Sequence, residues 1–128
     1  VFYVQYAYAR INSLLRTLHI SLHSKINLNI EDLNFNINEK KIIRKVFEWP
    51  KIIESSSNKC EPHKIPFYLY ELSTLFHAYW SKGNEDNNYK FIKNNKIKRV
   101  EILAIMNLVA IVFQNGMKIL GVSLPKKM

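Results

Sequence analysis

The segment YVQYAYARINSLLR (residues 3–16) decides the fold, because its apolar side chains recur every three or four residues. An α-helix returns to the same face with this period, so these side chains form one stripe. The stripe continues beyond the segment and comprises Ala7, Ile11, Leu14, Leu15, Leu18 and Leu22. The sequence therefore predicts an amphipathic first helix that buries one face in a core.

Two shorter helices are predicted on either side of the Trp49-Pro50 pair. The residue before a proline avoids helical geometry, so the second helix should end at Trp49, and Pro50 suits the first turn of a third helix. The predicted buried residues are Ile42, Ile43, Val46 and Phe47 in the second helix, and Ile52 and Ile53 in the third. The polar residues 24–38 are interpreted as a long loop with one helical turn, and residues 55–58 as a turn.

Two longer helices are predicted in the second half of the chain. The fourth should begin near Pro66, because proline cannot donate the hydrogen bond that would continue a helix begun at Pro62. Its predicted buried residues are Leu69, Leu72, Leu75, Phe76 and Tyr79; those of the last helix, from about Lys98 to Leu120, are Ile102, Ile105, Met106, Val109, Val112, Phe113 and Leu120. Residues 82–99 are interpreted as a polar loop without convincing strand alternation, held by Tyr89, Phe91 and Ile92. The pattern as a whole predicts an all-α bundle.

The C-terminal residues carry a clear helix-ending signal. Gly121 fits the left-handed backbone position that ends many helices, and Val122 fits the apolar contact that follows it. Pro125 prevents the helix from resuming. A chain end alone would be expected to fray. The defined helix end and the residues after it nevertheless predict that Met128 is held in place.

Composition bounds the class of protein. The 128 residues make one domain, and 48% of them are apolar, as a globular core requires. No stretch reaches the roughly 18 uninterrupted apolar residues of a membrane span, and the N-terminus lacks the basic lead of a signal peptide.

A single cysteine, Cys60, favours a reducing cytoplasm. The chain opens on Val1, so we expect a piece of a larger protein, and its heavy use of Lys, Asn and Ile indicates an A/T-rich genome.

Charge and motif content favour binding over catalysis. The formal net charge of +9 attracts polyanions, of which RNA is the first candidate, although a merely basic surface explains the charge equally well. No Gly-rich phosphate loop, nucleophile elbow or carboxylate pair is visible, so the chain is predicted to hold no catalytic site.

A second stripe on the first helix offers binding chemistry. It comprises Tyr3, Tyr6, Arg10 and Ser13, which are three or four residues apart. An aromatic ring can stack on a splayed-out base while the neighbouring guanidinium pairs with a phosphate or a base edge. The alternative is that Tyr6 packs at the core margin and Arg10 holds a carboxylate.

The sequence favours neither metal binding nor membrane binding. His19 with His23, and Cys60 with His63, could supply four zinc ligands, but the two pairs are far apart and each lacks a second pair of cysteines. The basic amphipathic residues 39–51 could suit a membrane surface, but their apolar stripe is short and favours core burial. We therefore predict no metal site and no membrane partner.

Four segments carry a resemblance to a known family. They are YVQYAYARINSLLR, EKKIIRKVFEWPKII, CEPHKIPFYLYELSTLF and NGMKILGVSLPKKM, in this order. Together they resemble the anticodon-binding domain of arginyl-tRNA synthetases, the α-helical DALR domain. The resemblance covers residues 1–128 as one domain and implies a helical bundle of the class I synthetase anticodon-binding type.

The resemblance also implies which residues contact RNA. Tyr6 and Arg10 match a pair that lines the anticodon pocket and helps to read its middle base, a cytosine. Trp80 stands where the family has an aromatic residue, usually Tyr, and Met128 matches its C-terminal Met. Candidate phosphate contacts are Lys93, Lys96, Arg99, Lys126 and Lys127.

Two positions depart from the family pattern. Tyr8 replaces a histidine two residues before Arg10, which puts the role of that imidazole in doubt. Ile102 precedes the Leu103-Ala104 pair where the family tends to have arginine, and Arg99 lies nearly one turn earlier. Arg99 is predicted either to substitute for that arginine or to leave the contact unmade.

The implied function is that of one part of a larger enzyme. This domain would hold the anticodon loop of tRNA(Arg), while a catalytic domain of the same chain uses ATP with Mg²⁺ to form arginyl-adenylate and arginylate the tRNA. No cofactor is expected in this domain, and the protein is expected to be cytoplasmic and monomeric. The alternatives are the corresponding bundle of another class I synthetase, or a basic helical interaction module without RNA.

Overall fold

The computed structural model describes residues 2–21, 31 and 33–128, and these residues form an α-helical bundle. Its helices are α1 (Phe2–Thr17), α2 (Ile37–Phe47), α3 (Trp49–Asn58), α4 (Lys64–Glu85) and α5 (Val100–Leu120). A 3₁₀ turn (Asn87–Tyr89) and a two-stranded hairpin, β1 (Ile92–Lys93) and β2 (Lys96–Ile97), join α4 to α5. The predicted all-α class is confirmed. Leu22, His23 and most of the predicted loop 24–38 lie outside the described residues.

The core lies between α4 and α5, the two longest helices, and α1 and α2 pack against both. The predicted buried sides of α4 and α5 are confirmed, with Leu75 and Leu120 only partly buried. Helix α5 is long and apolar enough to span a membrane by composition. However, 61% of its most apolar window is buried inside the bundle, as is usual for the core helix of a globular domain.

Helices α2 and α3 differ from the prediction in three respects. Ile53 was predicted to be buried, but it is 37% exposed, because Trp49, Ile52 and Ser56 form the inward face of α3. Phe47 was predicted to be buried, but it is 74% exposed, because the buried face of α2 is completed by Glu39 beside Ile42 and Val46. Residues 55–58 were predicted to form a turn, but α3 continues through them to Asn58. Ser56 is buried there, so packing overrides the turn preference of a serine-rich run.

The segment predicted as a polar loop, residues 82–99, is largely ordered. Helix α4 continues to Glu85, and Asn94 and Asn95 then turn the hairpin with φ values of 53° and 61°. Two successive residues at positive φ are what a two-residue hairpin turn requires, and asparagine tolerates this conformation well. Phe91, one of the predicted anchors, is buried against the rings of Tyr79 and Trp80.

An ion pair between a buried carboxylate and a partly exposed arginine joins three helices, and the sequence did not reveal it. The Glu39 side chain is fully buried, and its Oε1 lies 2.7 Å from Nη2 of Arg99, the residue just before α5. The Tyr79 hydroxyl of α4 donates to Glu39 Oε2 at 2.6 Å, and burial together with this bond raises the pKa of Tyr79 far above its usual range. Glu39 also closes the capping box of α2 with Asn36. The carboxylate thus fixes the start of α2 against α4 and α5.

Helix α5 ends as the sequence predicts. Gly121 has φ 71° and ψ 26°, its N–H donates to Lys118 O, and the Val122 N–H donates to Met117 O. These two bonds form a Schellman motif. The chain then reverses, and Val122 and Leu124 pack against the core.

Replacement of Gly121 by valine is expected to lower the free energy of unfolding by about 1–2 kcal/mol, because a β-branched residue is strained at positive φ. Asparagine tolerates this conformation, so Gly121→Asn should retain most of the stability. Thermal and urea unfolding of the two variants would measure the difference. Equal stability of both with the wild type would show that the left-handed end is not a constraint.

Candidate nucleic-acid interface

The second stripe of α1 faces solvent, as its spacing predicts. Tyr3 and Tyr6 are 42% and 46% exposed, Ser13 is exposed and Arg10 is partly buried. The opposite face of the helix, through Ala7 and Ile11, is fully buried. The bundle therefore fixes α1 by its core face and leaves aromatic rings available on the other.

Arg10 lies between two aromatic rings. Its guanidinium carbon is 4.6 Å from the centre of the Tyr6 ring and 5.5 Å from the centre of the Trp80 ring. The sequence left open whether Arg10 holds a carboxylate. Among the residues that the structure describes, no ion pair involves Arg10; its Nη1 instead lies 3.0 Å from Nδ1 of His77. The arginine therefore keeps its positive charge and most of its donors for a ligand.

The C-terminal segment brings Met128 to the same surface. The Gln5 side chain donates to the Ser123 carbonyl at 2.8 Å, and the Arg16 guanidinium donates to the Lys126 carbonyl at 3.0 Å. Both bonds join α1 to the last residues of the chain. Met128, 60% exposed, consequently lies beside α1 and presents a flexible, polarisable thioether.

Two adjoining clefts define the candidate site. The larger has a volume of about 580 Å³ and is lined by Phe2, Tyr3, Tyr6, Arg10, His77, Ser81 and Met128. The smaller, about 330 Å³, is lined by Tyr6, Ala9, Arg10, Ser13, Arg16, Lys127 and Met128. Three of the four predicted anticodon residues, Tyr6, Arg10 and Met128, thus line one surface. Trp80 does not line either cleft; it supports Arg10 and lines a separate cavity with Ser13 and Lys90.

His77 is a site residue that the sequence analysis missed. Its side chain is only 9% exposed, and its ring lies 4.3 Å, centre to centre, from the Tyr3 ring. Because arginine can only donate, Nδ1 must accept from Arg10, so the proton of the neutral ring is on Nε2 and is donated to the Tyr3 carbonyl at 3.1 Å. Desolvation lowers the pKa of His77, which favours this neutral form. Its position three residues before Trp80 on α4 was the available signal.

The predicted phosphate contacts lie in different parts of the structure. Lys127 lines the smaller cleft, and Lys126 lines a neighbouring one with Tyr8 and Arg16. Lys93 and Lys96 are exposed on the hairpin. The phosphate contacts of these four lysines stay a prediction.

Arg99 differs from the lysines, since its guanidinium is held by Glu39 at 2.7 Å and by Glu101 at 3.3 Å. The neighbouring carboxylates raise its pKa and neutralise its charge. Arg99 is therefore engaged in structural ion pairs with Glu39 and Glu101, which leave its guanidinium less able to contact a phosphate.

The two departures from the family pattern have structural explanations. Tyr8 lies on the buried face of α1, 4% exposed, and its hydroxyl accepts from the Gln114 side chain at 2.9 Å. It therefore joins α1 to α5 and is not part of the exposed stripe. Ile102 is buried in the core, 1% exposed, so it faces no ligand.

The candidate metal ligands do not form a cluster within the described residues. No group of three His, Cys, Asp or Glu side chains that could hold a metal is found there. Cys60 is an exposed free thiol, and His19 is exposed just after α1. His23, the fourth candidate, lies outside the described residues.

A helical bundle whose first helix carries an exposed aromatic and basic stripe is a class of domain suited to binding, and comparison with known proteins specifies its family. Residues 4–128 match the family of the DALR anticodon binding domain. The chain belongs to this family.

Individual relatives agree with this assignment. The chain is 45% identical over 130 residues to the arginine–tRNA ligase of Pelagibacter ubique and 38% identical over 136 residues to that of Agrobacterium fabrum. All of this chain is covered in both cases, but only 22% and 23% of the relatives, to whose C-terminal part it aligns. The fold is also that of a crystal structure described as an arginyl-tRNA synthetase from Campylobacter jejuni, with a TM-score of 0.78, 20% identity, and coverage of 99% of this chain and 26% of that one.

Proposed function

We propose that this chain is the anticodon-binding domain of an arginine–tRNA ligase and that it binds the anticodon loop of tRNA(Arg). The observation that carries the proposal is the placement of Arg10 between the Tyr6 and Trp80 rings, beside Met128. Family membership and the net charge of +9 support it. The two relatives named above are arginine–tRNA ligases, which favours this proposal over another class I synthetase, and a module without RNA would leave this surface without a role.

The middle anticodon base is the proposed ligand of the larger cleft. A base turned out of the loop would stack on the Tyr6 ring, as bases do on aromatic side chains in single-stranded recognition. Arg10 has N–H groups left after its bond to His77, and these suit the N3 and O2 acceptors of cytosine. Uracil carries a hydrogen on N3 and would lose one of these bonds. The site is therefore expected to prefer cytosine to uracil.

The wider activity belongs to the whole protein. We propose a catalytic domain in the same chain that uses ATP with Mg²⁺ to activate arginine, in a cytoplasmic and monomeric enzyme. The role of this domain is to bind and orient the tRNA, so its contribution to aminoacylation would be through affinity and choice of tRNA.

Binding to an anticodon stem-loop of tRNA(Arg) tests the proposal, and its salt dependence gives a quantitative prediction. Affinity should fall as salt rises, because each phosphate neutralised releases counterions and adds about 0.7–0.9 to the slope of log affinity against log salt. Lys127→Ala should reduce this slope by about one unit while weakening cytosine and uracil loops alike, since Lys127 lies at the smaller cleft and contacts no base in this arrangement.

The matched control is Lys51→Ala, an exposed lysine on α3 that lines none of these clefts. Fluorescence anisotropy titrations at four salt concentrations would measure both slopes. Absence of binding at low salt, or binding that does not change with salt, would contradict RNA as the partner. A slope that changes equally in both variants would remove Lys127 from the interface.

A further inference from the structure

We propose that His77 positions Arg10 for base recognition, and that its hydrogen bond to Arg10 sets the preference for cytosine. This inference rests on the proposed function. His77 is not one of the residues that the resemblance implies, which are Tyr6, Arg10, Trp80 and Met128. His77 would not touch the base; it would act through the guanidinium that does.

The geometry ties the two residues in a defined direction. Arg10 donates from Nη1 to Nδ1 of His77 at 3.0 Å, and His77 donates from Nε2 to the Tyr3 carbonyl at 3.1 Å. The imidazole therefore connects the first turn of α1 to a guanidinium almost two turns further along the same helix. Both bonds are needed to define one ring orientation, because each uses a different nitrogen.

The ring itself is held firmly enough to serve as a support. It lies 4.3 Å from the Tyr3 ring in an edge-on arrangement, 5.9 Å from the Tyr6 ring and 6.0 Å from the Phe76 ring, centre to centre. An arginine side chain has many rotamers, and a single well-placed acceptor removes most of them. His77 thus keeps the guanidinium over the Tyr6 ring before the ligand arrives, which lowers the cost of binding.

Protonation of His77 would undo this arrangement. A hydrogen on Nδ1 would face the N–H groups of Arg10, and two positive charges would then be in contact. The titratable and charged side chains that line the cleft around His77 are Tyr3, Tyr6 and Arg10, with Met128 completing the wall. Among the residues that the structure describes, no Asp or Glu side chain lines this cleft to stabilise an imidazolium. The cytosine preference is therefore expected to be constant near pH 7 and to fall as the pH drops through the lowered pKa of His77.

Two substitutions separate the roles of the two nitrogens. In His77→Asn the side-chain oxygen can replace Nδ1 as the acceptor for Arg10, whereas in His77→Gln the amide reaches the Nε2 position and bonds to Tyr3 instead. Binding of stem-loops with cytosine or uracil at the middle position would be compared for the wild type and both variants of the full protein. We expect the cytosine preference of His77→Gln to fall about tenfold, which corresponds to the loss of one charge-assisted hydrogen bond. His77→Asn should keep most of the cytosine preference, but this preference should no longer depend on pH.

A second measurement reports on Arg10 without RNA. The side-chain N–H resonances of Arg10 should be resolved and protected from exchange in the wild type and in His77→Asn, and broadened in His77→Gln. A cytosine preference that is unchanged in His77→Gln, with Arg10 signals like those of the wild type, would overturn the positioning role alone. A wild type that binds both loops equally would overturn this inference, whereas a wild type that binds neither loop would overturn the proposed function as well, so the two failures are distinguishable.

Discussion

Replacement of Arg99 by methionine is expected to lower the free energy of unfolding by about 3–5 kcal/mol, the usual cost of removing one partner from a buried ion pair. Glu39 is fully buried, and Glu101 is only 7% exposed, so the change leaves two carboxylates without the guanidinium that neutralises them. Methionine preserves much of the apolar stem of arginine, which limits the loss to charge and hydrogen bonding. Urea unfolding at constant pH would measure the effect.

The ion pair itself can be tested by a double-mutant cycle. Glutamine at position 39 keeps one oxygen that can accept from the Asn36 N–H, and its amide nitrogen can donate to the Tyr79 hydroxyl, but it carries no charge. The double variant Glu39→Gln/Arg99→Met should therefore be more stable than Arg99→Met alone. Arg44→Met, at an exposed position on α2, is the control for loss of one basic residue. A loss in Arg99→Met no larger than in this control would show that the pair contributes little to the fold.

The same ion pair shows what the sequence could not provide. Glu39 and Arg99 are 60 residues apart, and neither position has a signal that links it to the other. At about 100° per residue, Phe47 projects roughly 120° away from the mean direction of Ile42 and Val46, while Glu39 lies within roughly 40° of that direction. Apolar content alone favoured Phe47 as a buried residue. Tertiary contacts decide that Glu39 is buried and Phe47 is exposed, because Arg99 and Tyr79 supply the partners that a buried carboxylate needs.

Long apolar stripes were predicted well for a physical reason. Helices α4 and α5 each run for more than 20 residues, so their period is repeated often enough to define one buried face. The hairpin between them has strands of two residues, too short to show alternation. Its two asparagines at the turn were the only local signal.

The candidate site was predictable in part. Tyr6 and Arg10 are four apart on one helix, so their proximity follows from helical geometry alone. Met128 and Trp80 entered only through the resemblance, and their placement near α1 depends on contacts that span most of the chain, such as that of Gln5 with Ser123. His77 is 67 residues from Arg10, and no spacing rule could join the two.

Replacement of Tyr6 by alanine is expected to weaken binding of the tRNA(Arg) anticodon stem-loop by about 1–3 kcal/mol, the usual worth of one stack between a base and an aromatic ring. Tyr6 is 46% exposed and its ring lies 4.6 Å from the Arg10 guanidinium carbon, so the change removes both a stacking surface and a support for the cation. The loss should be larger with cytosine than with uracil at the middle position, because the guanidinium that reads the base edge loses one of the two rings that hold it.

Tyr6→Phe is the matched control, since it retains the ring and should keep most of the affinity and of the cytosine preference. Because Tyr6 borders the buried face of α1, the thermal midpoint of each variant has to be measured before the titrations are compared. Isothermal titration against the two stem-loops would then give the loss for each base. If a folded Tyr6→Ala variant loses the same affinity for both loops, the ring contributes to general attraction for RNA, and the middle base must be read elsewhere on the domain.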